Sequence, residues 1–238
     1  MKLLITGGSG YLGQHLVPRA MAQHEVVYSH FATDPLRLDN SIWIDLRDGI
    51  TTDVIVREIR PDAIIHLAGS NRSTDMHRVI VDGTRNIVAS ADAINARLIH
   101  LSTDVLFDGT AAPYVETDKP TPIHAYGRAK AIAEQIVAGY PNHVIVRTSL
   151  IYSERIMDMG TRWMKDAIER GEPLSLFSNH LRNPVHADDL ADACLALLRS
   201  DFVGVLNVAG SEALSRADYA LKTLRHWGVA LDGVSAAP

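Results

Sequence analysis

Cysteine is almost absent from this sequence: Cys194 is the only one in 238 residues. One thiol can form neither an internal disulfide nor a thiolate-rich metal site, so a reducing, cytoplasmic setting is expected. Basic blocks are missing too, and a formal charge of -5 argues against a nucleic-acid surface, which needs clustered Lys and Arg. Apolar stretches are strand-sized or broken by His, Asp or Arg, and none reaches the roughly 20 residues that cross a bilayer. The opening Met1–Gly7 meets glycines too soon for a secretory signal. Eleven histidines show no metal-ligand spacing, so no metal is expected. The remainder is 47% apolar and 21% charged with 6% aromatic, which describes a folded soluble domain rather than a disordered or fibrous chain.

Short β-branched runs recur at Leu3–Thr6, Glu25–Ser29, Ile42–Asp45, Ala63–Ala68, Leu98–Ser102 and Val144–Thr148. Helical patterns fall between them at Gly13–Gln23, Ile50–Arg60, Arg72–Ile94 and Pro122–Tyr140. Near-continuous apolar strands alternating with helices predict an α/β fold, a Rossmann doubly wound parallel sheet covered on both faces. Beyond Arg147 the pattern loosens into helices at Gly160–Arg170, Asp188–Arg199 and Ser215–Trp227, with strands at Leu174–Phe177 and Val203–Val208. Residues 1–152 are therefore expected to form mainly the dinucleotide-binding domain. Residues 153–238 are expected to form mainly a small carboxyl-terminal substrate-binding lobe, with segments returning to the first sheet.

The first strand runs into Thr6-Gly7-Gly8-Ser9-Gly10-Tyr11-Leu12-Gly13 and then an apolar helix. A turn without side chains lets a pyrophosphate reach backbone N–H groups at a helix start, and the third glycine lets that helix pack closely. Gly7, Gly10, Tyr11, Leu12 and Gly13 are thus candidate cofactor contacts. No acid stands at the end of the second strand to hold the ribose hydroxyls, and the nearby cation Arg37 suits a 2'-phosphate. The cofactor is expected to be NADP or NAD, with NADP slightly favoured. Asp45 and Leu46 are placed to flank the adenine, and Leu67, Ala68 and Gly69 to let the cofactor pass the fourth strand.

Tyr126 and Lys130 stand four apart in a helical segment introduced by Thr121-Pro122, a cap and first-turn proline. They share one face, where an ammonium favours the phenolate and brings a tyrosine with pKa near 10 toward useful acid-base chemistry. Ser102 or Thr103, at a strand end facing the cleft, supplies a hydroxyl for a substrate oxygen. His66 and His100 lie in apolar strands and read as hydrogen-bonded core residues, and Cys194 as a small packed hydrophobe.

The stretches Thr6–Gly13 (TGGSGYLG), Leu101–Gly109 (LSTDVLFDG), Pro113–Asp118 (PYVETD), Tyr126–Glu134 (YGRAKAIAE), Arg147–Tyr152 (RTSLIY) and Arg182–Leu190 (RNPVHADDL) resemble the extended short-chain dehydrogenases/reductases. Within them they are similar to the dTDP-4-dehydrorhamnose reductases. The resemblance implies reduction of a 4-keto nucleotide sugar by NADPH or NADH, with Thr103, Tyr126 and Lys130 catalytic and with dimers common. Asp104, Val105 and Arg182 are candidate substrate contacts. Departures from the family are Ile80-Val81-Asp82-Gly83-Thr84 where Asn-Val-x-Gly-Thr is frequent, and Ser153 where a glycine is common. Members also commonly continue beyond the position of Pro238. Two other functions fit the same pattern: a nucleotide-sugar epimerase or dehydratase, and a cofactor-binding accessory subunit without turnover. Val105, following Asp104, departs from the Asp-Glu pair usual in the dehydratases.

Overall fold

The computed structural model describes residues 1–69 and 74–238. In chain order the first elements are β1 (Lys2–Thr6), α1 (Tyr11–Met21), β2 (Glu25–His30), β3 (Ser41–Trp43), α2 (Gly49–Ile59) and β4 (Ala63–His66). There follow α3 (Gly83–Ile94), β5 (Arg97–Thr103), α4 (Ala125–Ala138), β6 (His143–Thr148), β7 (Ile151–Tyr152), α5 (Met159–Glu169) and β8 (Leu174–Phe177). The last are β9 (Leu181–Arg182), β10 (Val185–His186), α6 (Ala187–Leu197), β11 (Gly204–Asn207), β12 (Leu214–Ser215), α7 (Arg216–His226) and β13 (Val234–Ala237). Two compact units result, Met1–Thr148 with Ala191–Val208, and Ser149–Leu190 with Ala209–Pro238.

The first unit is built on a sheet of seven strands in the order β11-β6-β5-β4-β1-β2-β3. Every neighbouring pair in it is parallel. This is the doubly wound fold that the alternation of apolar strands and helices predicts. The order reverses at β1, which has β2 on one side and β4 on the other, and such a switch point is where open α/β sheets hold ligands. Leu4, Ile64, Leu98 and Ile145 form the centre of one sheet face, covered by Val56, Ile87, Ala91 and Val137 from α2, α3 and α4. Cys194 is fully buried, and burial pushes its thiol up to about 12.

Two predicted helices differ from those observed. Arg72, the expected start of the third, lies outside the described residues, and a π turn at Arg78–Asp82 precedes α3. The wider turn carries Ile80 and Val81 together onto Ala129 and Ala133 of α4. The fourth begins at Ala125, three residues after the expected proline, with His124 at the N-cap and no side-chain cap. Thr121 is used elsewhere: its N–H donates to Leu106 O at 2.8 Å and its hydroxyl accepts from Asp108 N–H at 3.2 Å, fixing the loop that leaves β5.

One buried ion pair joins α4 to β6. Arg147 donates to Glu134 through Nη2 at 2.8 Å and Nε at 3.1 Å, with both side chains less than 8% exposed. Its Nη1 donates to the carbonyls of Glu116 and Asp118 at 3.2 and 3.4 Å, and the guanidinium lies over the Phe107 ring.

The second unit is stitched from three two-stranded pieces, β7 with β10, β8 with β13, and the antiparallel β9 with β12. Met164 and Ala167 of α5 pack with Ala220 and Leu224 of α7 on Leu174. Side-chain caps start both helices: Asp158 accepts from Gly160 and Thr161 N–H, and Ser215 from Asp218 N–H. Among the described residues no helix is long and apolar enough to cross a membrane.

Replacing Glu134 by Leu leaves the Arg147 cation buried without its counter-charge. The expected loss is about 3–5 kcal/mol in urea unfolding, with much of it recovered when Arg147→Met is added, because removing both charges abolishes the desolvation penalty.

Candidate active site

At the end of β1 the chain turns through Gly7, whose φ of +70° is strained for any side chain. Its N–H donates to Ser29 Oγ at 3.0 Å, and a Cβ there would lie 2.8 Å from the Ala68 backbone. Gly10 N–H closes the turn on Gly7 O at 2.9 Å, and Gly10 then N-caps α1. A Cβ on Gly13 would meet Gly8 O at 2.2 Å, so only glycine lets the helix sit this close to the loop. No side chain caps α1 and no acid occupies its first turn. A helix start with no cap side chain and no first-turn acid of its own is suited to an anion.

The other expected cofactor residues surround this loop unevenly. Leu67 N–H donates to Thr6 O at 3.0 Å, Ala68 abuts Gly7, and Gly69 takes a φ of +138°. Arg37 is exposed in the loop between β2 and β3, at a left-handed φ of 51°. Leu46 is buried, with its carbonyl accepting from Asn86. Asp45 is engaged by Arg47 through contacts of 2.9 and 2.8 Å, and that guanidinium holds its carboxyl below the usual range. Arg47 also pairs with Asp75 at 2.6 Å and lies over Phe31, which stacks on Trp43.

The expected acid-base residues lie on α4 and at the end of β5. A Cβ on Gly127 would lie 2.3 Å from Val105 O, so the first turn of α4 rests directly on the 3₁₀ turn Asp104–Leu106. That contact sets the turn bearing Tyr126 against the turn that follows Thr103. The Thr103 hydroxyl accepts from Val105 N–H at 3.3 Å and donates to Asp104 Oδ1 at 3.4 Å. Ser102 points to the opposite sheet face, and its buried Oγ has no hydrogen-bond partner among the described residues. Tyr126 is half-buried against Ile80 and Val81. Lys130, one turn on, is 3% exposed, and its Nζ donates to Leu101 O at 2.6 Å and lies 3.1 Å from His100 Nε2. Burial pushes this lysine down to about 8, against the opposing charge of Glu134.

In the second unit a cavity of about 540 Å³ is walled by Tyr152, Tyr219 and Trp227, with Glu154, His186 and Lys222 at its polar edge. His186 Nε2 meets Glu154 at 2.7 Å, and Lys222 meets Glu212 at 3.2 Å. Arg182 lies on β9, opposite Leu214 of β12. Met164 belongs to the core of this unit, while Trp163 and Met159 are exposed.

The family model described as RmlD substrate binding domain matches residues 1–238. The chain belongs to this RmlD family. It is 30% identical to a dTDP-4-dehydrorhamnose reductase of Sinorhizobium fredii over 92% of this chain and 76% of that protein. It is also 30% identical to a dTDP-4-keto-6-deoxy-D-glucose reductase of Streptomyces niveus, over 94% of this chain and 78% of that protein. A crystal structure titled as a hypothetical dTDP-4-dehydrorhamnose reductase from Sulfolobus tokodaii superposes with a TM-score of 0.86 at 28% identity, covering 100% of this chain and 86% of that one.

In this RmlD chain three contributors to the site carry no motif of their own. Ser29 supports the glycine loop from the strand end where a ribose-binding acid was sought. Gly127 has no role visible in the sequence, and its reason appears only in the contact with Val105. His100 read as a core residue, which its burial bears out, but its ring also touches the lysine.

Gly13→Ala is expected to cost about 1–3 kcal/mol through overpacking, read as a lower unfolding midpoint. Gly139→Ala is the control: its Cβ would meet Ile136 O at 3.4 Å, an ordinary contact, and stability should be unchanged within error.

Proposed function

We propose that this chain is an NAD(P)H-dependent reductase that acts on the 4-keto group of a nucleotide-linked sugar such as dTDP-4-dehydrorhamnose. The observation that carries the reading is the buried Lys130, one helical turn beyond Tyr126 and bonded to Leu101 O, two residues before β5 ends in Thr103. A cation is kept in the interior at the expense of its solvation, which is the arrangement needed to acidify a neighbouring phenol. The names of the two 30% identical relatives, both 4-keto dTDP-sugar reductases, support the substrate class.

The bare glycine loop and the uncapped α1 fit a dinucleotide pyrophosphate, and the bound dinucleotide supplies a hydride. The rest of the chemistry falls to the chain. As a ketone carbon is reduced its oxygen gains charge and needs a proton, which Tyr126 gives from its hydroxyl. Thr103 orients that oxygen with a hydrogen bond. Lys130 stabilises the tyrosinate that is left and reaches a ribose hydroxyl with a remaining N–H. Asp104 and Val105 border the sugar, and Arg182 offers the diphosphate a cation. The second unit is assigned the substrate, since the aromatic walls of its cavity suit a base or a sugar ring. Arg37 receives the 2'-phosphate, giving NADPH a modest preference. The enzyme acts in the cytoplasm, in keeping with a single buried thiol, and as a homodimer, in keeping with its family.

Tyr126→Phe should lower turnover of NADPH with dTDP-4-dehydrorhamnose by at least about 100-fold, with cofactor affinity nearly unchanged in a fluorescence titration. Turnover close to wild type would remove Tyr126 from its role. Arg37→Ala should weaken NADPH several-fold more than NADH in the same titration, and equal losses would reject the selectivity argument.

A further inference from the structure

The buried face of the central sheet carries a polar row that the reduction chemistry does not use. Thr6, His66 and His100 stand side by side on β1, β4 and β5, because Thr6 is in register with His66 and His66 with His100. All three are fully buried. His66 is satisfied at both nitrogens, by Thr6 Oγ1 at 2.6 Å and by Thr84 Oγ1 at 3.2 Å. His100 is not. Its Nε2 faces Lys130 Nζ at 3.1 Å, while its Nδ1 is buried with no hydrogen-bond partner among the described residues.

An ammonium has donors only, so a charged Lys130 can bond His100 solely through a lone pair on Nε2. The ring proton must then sit on Nδ1, where no described residue accepts it. Buried N–H groups without an acceptor are rare in folded proteins, and each calls for a reason. We propose that His100 is a positioning residue for Lys130: fixed as the Nδ1–H tautomer, it holds the ammonium charged and in place between its own Nε2 and the Leu101 carbonyl. This rests on the reading of Lys130 as part of the catalytic set. The bond turns one lysine N–H inward and another onto the strand, leaving a third for the cofactor and tyrosine side.

Other charged or titratable groups near the lysine are Tyr126 and Glu134 on its own helix, His66 on β4, and Arg147 on β6, which is tied to Glu134. Burial and the neighbouring lysine hold His100 neutral. With Lys130 brought down to about 8, the ammonium is lost as pH rises through that value. An acceptor bonds the ammonium more strongly than the neutral amine and so delays this loss, and removing it should move the loss to lower pH.

The test uses the intact protein in two measurements. In the ¹⁵N-histidine-labelled wild type at pH 7, a long-range proton–nitrogen spectrum should show His100 protonated at Nδ1 and bare at Nε2. A proton on Nε2 would overturn the proposal. In ¹³Cε-lysine-labelled protein the Lys130 titration midpoint should fall by about one pH unit in His100→Leu and His100→Asn, because Asn is too short to reach Nζ. His100→Gln, whose amide oxygen can stand near the Nε2 position, should return it toward wild type. The alkaline limb of NADPH turnover should move with these midpoints. Equal midpoints in all variants would overturn the proposal, and the Asn and Gln variants keep the comparison open should the leucine variant fail to fold. Wild-type turnover in Lys130→Met would instead defeat the catalytic reading, and the two labelling measurements would still decide the role of His100.

Discussion

The ion pair between Arg147 and Glu134 determines where α4 sits on the sheet, and the chemistry of the first unit follows from that placement. Tyr126, Lys130 and Glu134 occur at intervals of four and form one stripe along the helix. Glu134, at the far end, is clamped to β6, so Lys130 is driven into the interior one turn earlier and Tyr126 is brought to the carboxyl end of β5 one turn before that. A buried ion pair adds little net stability compared with an apolar pair of the same size. What it adds is register, since a slip of one residue would strand both charges. Gly127 completes the constraint by letting the first turn of the helix close on Val105 without a side chain between.

That placement forces the interior of the unit to hold more charge than a sheet of this kind needs for folding. The cation of Lys130 is offset by Glu134, which is shared with Arg147, and by neutral acceptors on β5. The glycine loop solves the opposite problem: it leaves the partial positive charge at the start of α1 without a cap side chain or a first-turn acid. One region conceals a full cation and the other exposes a partial one, and both are poised for partners that bring negative charge.

The parts of this design that depend on local rules were legible in the residues. Apolar strands alternating with helices give the parallel sheet, and the spacing of Gly7, Gly10 and Gly13 after β1 marks the loop. The four-residue interval of Tyr126 and Lys130 implies one helical face, as observed. Long-range pairing was not legible. Nothing near Asp45 in the chain announces that Arg47 would divide itself between it and Asp75, nor that Ser29 would serve Gly7. The start of α4 was misplaced because Thr121 and Pro122 have the residue types of a helix entry, while the loop from β5 recruits Thr121 for its own hydrogen bonds.

The second unit shows how a departure from a family pattern is absorbed locally. Ser153 replaces a common glycine, and its buried hydroxyl accepts from Arg155 N–H at 3.0 Å and Ile156 N–H at 3.4 Å. A side chain thereby builds the turn that a flexible residue would otherwise permit. Arg155 then grips Asp188 through two contacts of 2.7 Å, and Glu154 is met by His186 and, through its carbonyl, by His226. The loop is therefore held at every residue from Ser153 to Ile156, and beside the cavity the Glu154 carboxylate faces a histidine. Such a loop can differ without disturbing Thr103, Tyr126 and Lys130, because those three are carried by β5 and α4.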